Sequence, residues 1–175
     1  MRASPRSGLS VPDSAMAETP LPEEVALWQR RLAAQANNRA WRLSESLVRP
    51  AQEDEEMLQA AHAAMYFWKI VGTEGNRAHA AQLLAHVYAL LKLPGPAQHY
   101  LAQSEPVFLG RACEPWEQAC AFAVKASVAA AAGQSEVHAS SYRKAEQLIA
   151  ALPSAEERKI LDATLNVVPK PGPGA

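Results

Sequence analysis

Apolar residues recur at helical spacing through most of this chain, and no stretch alternates apolar and polar over the length of a strand. The clearest pattern runs from Asn76 to Gln103. AHAAQLLAHVYALLKL places Ala80, Leu83, Leu84, Val87 and Leu91 on one stripe, Pro94-Gly95-Pro96 stops it, and AQHYLAQ follows. The spacing predicts two helices folded back on each other, with Asn76 as the N-cap of the first. His79, Gln82 and His86 are spaced three and four apart and fall on a second face of that helix, away from the Leu83, Leu84 and Val87 stripe.

The same reading extends in both directions. Residues 1–19 are rich in Ser, Pro and small residues, lack periodicity and read as a disordered tail. Within them Met16 opens MAETPLPEEV, a second candidate start of translation. A helix is expected from Leu21 to Ala36, opened by Pro22, Glu23 and Glu24, with Val25, Trp28 and Leu32 on one stripe. Asn37-Asn38 marks a break, and a second helix from Arg39 to Val48 carries Trp41, Leu43 and Leu47 before Pro50. Glu53-Asp54-Glu55-Glu56 opens a third, and the favourable charge of a helix N-terminus accounts for that cluster without a metal. Met57, Ala61, Ala64, Met65 and Trp68 form its stripe, and Gly72 suits a left-handed cap. After the central pair, a kink or break is expected at Pro106. A sixth helix runs from Pro115 to Gly133 and a seventh from Ser135 to Ala150. The capping-box spacing of Ser154 and Glu157 predicts a short last helix to Asn166. From Pro169 the chain cannot continue a helix and reads as a second tail, 169–175. The expectation is a single all-α domain over 20–168, with about eight helices in a bundle or α-solenoid.

Composition narrows the function classes. Hydrophobic residues make up 49% of the chain, much of it alanine, which favours helix. A formal charge of -1 and a pI near 6.5 give no electrostatic reason to seek nucleic acid or an anionic membrane. The most apolar run, Ala119 to Gly133, is short and carries Lys125, so no membrane span is expected. Cys113 and Cys120 are spaced too far apart for a disulfide if helical, and no second pair completes a zinc site. They read as reduced thiols of a cytoplasmic protein.

Ala85 and Ala126 fall at equivalent places 41 residues apart (126 − 85), and the same step back reaches Ser44, so a small residue recurs where helices would pack closely. Ala85, Tyr88, Ala97, Leu101 and Ser104 fit the small–aromatic–small–large–small pattern of the tetratricopeptide family, and the following unit supplies Ala126, Gly133, Tyr142 and Ala145. The chain resembles that family from about Asn38 to Ala150. It departs at Ala129, where an aromatic is preferred, at His138, where alanine is preferred, and in a step longer than about thirty-four residues. HAAMYFWKIVGTEGNRAHAAQLLAHVYALL is also similar to small bacterial helical-repeat proteins. The resemblance implies a short right-handed superhelix of helix pairs, a scaffold holding a protein segment in a concave groove lined by the first helix of each pair. The groove positions it implies are Asn38, Trp41 and Glu45, then His79, Gln82 and His86, then Cys120, Ala123 and Ser127.

Chemistry is sparse. No phosphate loop, nucleophile elbow or zinc-hydrolase motif occurs, and none of the three aspartates, Asp13, Asp54 and Asp162, lies beside a nucleophile and base. A non-catalytic interaction module without cofactor or metal is therefore expected, with a protein or peptide partner. The alternative is a ligand- or metal-binding bundle using His62, Tyr66, His86 and His99. A third reading is a homodimer formed through an apolar helix face left uncovered at the end of a short array.

Overall fold

The structure, a computed structural model, describes residues 20–172. Among them are seven helices and no strand: α1 (Pro22–Ser44), α2 (Ala51–Val71), α3 (Glu74–Leu90), α4 (Pro94–Phe108), α5 (Pro115–Ala131), α6 (Ser135–Ala151) and α7 (Ala155–Asn166). The tail 1–19, with Met16, and residues 173–175 lie outside the described residues. Within the C-terminal stretch, Val168 is buried in the core and the Pro169 carbonyl accepts a hydrogen bond from His138 Nε2 at 2.8 Å.

The count is one fewer than expected because α1 is continuous through Asn37-Asn38. Burial of Ala33 and Ala40 on either side outweighs the weak helix preference of two asparagines. Nor does α1 reach Val48. It stops at Ser44, where the Arg49 guanidinium turns back to the carbonyls of Leu43, Ser44 and Ser46. Arg49 also pairs with Asp54 at 2.7 Å, and Arg39 with Glu56 at 2.6 Å, so arginines engage the acidic start of α2. The stripe of Val25, Trp28 and Leu32 does not enter the core; all three are exposed.

Local signals hold elsewhere, with three changes. Thr73, not Asn76, caps α3: its hydroxyl accepts from the Asn76 N–H, and the Asn76 side chain returns to the Thr73 N–H. Gly72 is extended (φ -91) rather than left-handed. It is glycine because an added Cβ would lie 2.5 Å from the Trp68 carbonyl oxygen. α4 passes through Pro106 and ends at Phe108. Gly133 does adopt the left-handed conformation (φ 70) after α5, and the Ser154 hydroxyl accepts from the Glu157 N–H at the start of α7.

Each helix packs on its successor, and the odd-numbered helices also pack in series, α1 on α3, α3 on α5 and α5 on α7. The 41-residue step reappears in the element starts: Glu74 to Pro115 for α3 and α5 (115 − 74), and Pro94 to Ser135 for α4 and α6 (135 − 94). Ser44, Ala85 and Ala126 all have zero exposure, as close helix contact demands. One apolar cluster joins α1, α2 and α3 around Met57, Leu83, Leu84 and Val87, and another joins α3 to α7 around Val124, Tyr142, Ile149 and Leu161. Burial of each such side chain contributes about 1.5–3 kcal/mol.

α3 is enclosed by its neighbours. Helices α1, α2, α4 and α5 all pack on it. No charged residue occurs from Ala78 to Leu91, a composition suited to a helix covered all round. The face expected to point away from the core is therefore buried too: Gln82 is 1% exposed and His86 0%.

Candidate binding pocket

The odd-numbered helices frame one cavity of about 460 Å³. Spacing on each helix explains who reaches it. On α1 and at its C-cap, Asn37, Trp41 and Glu45 follow one another at intervals of four and share a face. Asn76 and His79 come from the first turns of α3, and Trp116 and Cys120 from those of α5. α7 contributes Glu157, Ile160, Leu161 and Thr164, and Trp68 enters from α2. Three of the chain's four tryptophans thus line a single space.

The aromatic walls are braced. The Trp116 indole stacks on His79 with ring centroids 5.4 Å apart and planes within 3°. His79 Nε2–H donates to the Glu117 carboxylate at 2.9 Å, and Phe108 packs against the same imidazole. Glu117 is itself fixed, its other oxygen accepting from the Glu114 N–H at 3.0 Å. Trp41 stacks on His86, centroids 5.7 Å apart. Burial, reinforced by the charge of Arg49, lowers the His86 pKa to about 4, so the imidazole is neutral at pH 7. Both of its ring nitrogens, and both polar atoms of the Gln82 amide one turn earlier, lack a hydrogen-bond partner among the described residues.

The polar chemistry of the lining is acidic. Burial raises the Glu45 pKa, and its carboxylate has no cation or donor partner among the described residues. Among the described residues, no lysine or arginine lines the cavity. The Cys120 thiol is buried and pushed up to about 12, so it is a neutral wall group rather than a nucleophile. Both cysteines are free.

Of the groove residues expected from sequence, Trp41, Glu45, His79 and Cys120 line the cavity. Asn38 is exposed and its neighbour Asn37 lines the space instead. Gln82, His86, Ala123 and Ser127 are buried in the packing behind it. His62, Tyr66 and His99 are exposed and line no part of it. His62 Nε2 meets the Tyr88 hydroxyl at 2.7 Å, His99 bonds Gln103 at 2.9 Å, and neither is brought together with His86. No group of three or more His, Cys, Asp or Glu suited to a metal ion occurs among the described residues, and no helix there is long and apolar enough to cross a membrane.

The repeat pattern does not single out Trp68, Trp116, Asn37, Asn76 or any of the α7 residues as lining the pocket. Tryptophan itself was the available signal, since a large ring that is left partly exposed in an alanine-rich chain marks a surface used for contact. Among known proteins, no family model matches this chain and no curated protein or solved structure is significantly similar to it.

Proposed function

We propose that the protein is a non-catalytic, tetratricopeptide-like interaction module that holds a segment of a partner protein in the cavity framed by α1, α3, α5 and α7. The observation that carries this reading is the convergence of Trp41, Trp68 and Trp116 on that one cavity. Tryptophan offers a large, stiff contact surface and dominates binding energy where proteins meet. Serial contact of the odd-numbered helices, and the 41-residue step shared by α3/α5 and α4/α6, support a short solenoid whose first helices form the inner face. The groove positions Trp41, Glu45 and His79 carry over from the family pattern; Asn38, Gln82, His86 and Ser127 act from outside the lining or behind it.

The test is site-specific photo-crosslinking in cells that make the protein. A photoreactive phenylalanine replaces Ile160, 52% exposed at the cavity, or Leu27, 44% exposed and outside it. A discrete protein adduct from position 160 that is absent from position 27 is expected. Equal adducts from both positions, or none from 160, would refute the pocket as the contact site.

A further inference from the structure

Resting on that reading, we propose that the pocket accepts a basic side chain, a lysine or an arginine, inserted by the partner segment. Three features point to this chemistry. The tryptophan faces carry negative electrostatic potential and attract a cation within about 6 Å of the ring centre. Glu45 and Glu157 line the cavity, and Glu117 stands beside it on His79. Finally, among the described residues no lysine or arginine lines this space, and its one imidazole, His79, is already engaged by the Glu117 carboxylate. Arg39, Arg49 and Arg111 are paired with Glu56, Asp54 and Glu74 elsewhere.

The alternatives fit less well on charge. An acidic side chain would meet like charge from Glu45 and Glu157. An apolar one would bury Glu45 further with no partner, adding to the desolvation that already disfavours its ionised form. A basic group opposes that penalty by pairing with the carboxylate, and burial keeps His86, behind Trp41, from adding positive charge to the wall.

Selection of a random peptide library displayed on phage, against the full chain and against Ile160→Trp, tests the proposal. Ile160 is exposed, so the variant folds with added neutral bulk at the cavity, and circular dichroism verifies it. Peptides that distinguish the two proteins are made synthetically and titrated by tryptophan fluorescence. The expected result is a shared lysine or arginine whose replacement by norleucine or citrulline weakens binding about tenfold, with Glu45→Gln weakening the basic peptide several-fold. Pocket-dependent peptides without a basic residue, or equal binding of the neutral replacements, would overturn the proposal and leave the pocket reading standing. If no peptide distinguishes the parent from Ile160→Trp, both fall. Lysine amide binding as tightly as the peptide would overturn the partner-segment source.

Discussion

Helices α3 and α5 have the same length, 17 residues, and begin 41 residues apart, yet they solve the same packing position in opposite ways. On α5 the inward positions Cys120, Ala123 and Ser127 are small, and α7 closes over that helix with Leu161 and Leu165 in the same apolar cluster. On α3 the equivalent positions, 41 residues earlier, are His79, Gln82 and His86. Trp41 of α1 stacks on the last of them, and four polar atoms of Gln82 and His86 go without partners among the described residues. Buried groups of that kind each cost about 1–3 kcal/mol. Beyond Cys120, which lines the pocket, α5 is thus sealed with small residues, while α3 keeps costly polar groups behind a wall of the pocket.

The largest effect is expected from making α5 like α3. Ala123→Gln inserts a long polar side chain at a position of zero exposure, where overpacking and an unmet amide together cost at least about 3 kcal/mol. Urea unfolding reads the loss; a midpoint close to the parent's would show spare room on α5 and dissolve the contrast.

Acid comes next. The unfolded chain protonates His86 near the ordinary pH 6.5, the folded one only near pH 4. Stability is therefore full above pH 6.5 and falls by ~1.4 kcal/mol per pH unit across that window, about 3 kcal/mol in all. His86→Leu removes this component, so the difference between variant and parent grows as pH drops from 6.5 to 4. Parallel curves would mean that His86 is already protonated or solvated in the folded protein.

A smaller gain is expected from making α3 like α5. Gln82→Leu keeps the side-chain size and deletes two unmet polar atoms, raising stability by about 1–3 kcal/mol. Thermal unfolding measures it, and a destabilised variant would show that the amide has partners after all. Smallest of all, Trp28→Ala, on the exposed stripe of α1, changes stability by no more than about 0.5 kcal/mol in the monomer. A larger loss, or one that depends on protein concentration, would identify that stripe as an interface.

What could be read in the sequence was local. The caps and stops at Pro22, Gly133, Ser154 and Asn166, the all-helical class and the 41-residue step depend on short-range chemistry, and the structure keeps them. Continuity of α1 through Asn37-Asn38, its end at Ser44 and the burial of Gln82 and His86 depend on which helices come to surround a segment. A helical wheel sorts His79, Gln82 and His86 from Leu83 and Leu84, but it does not say that α1 and α5 will cover the polar side as α2 and α4 cover the other. The pocket was half legible for the same reason: Trp41, Glu45 and His79 followed from a repeat pattern, whereas α7, Trp68 and Trp116 reach it only through the way the helices stack.

Hydrogen–deuterium exchange of the full chain, with and without the partner segment recovered by crosslinking, tests the central claim most directly. The account expects protection around residues 37–45 of α1, at the first turns of α3 and α5 and along α7. Protection confined to α2, α4 and α6, with α7 unchanged, would contradict it.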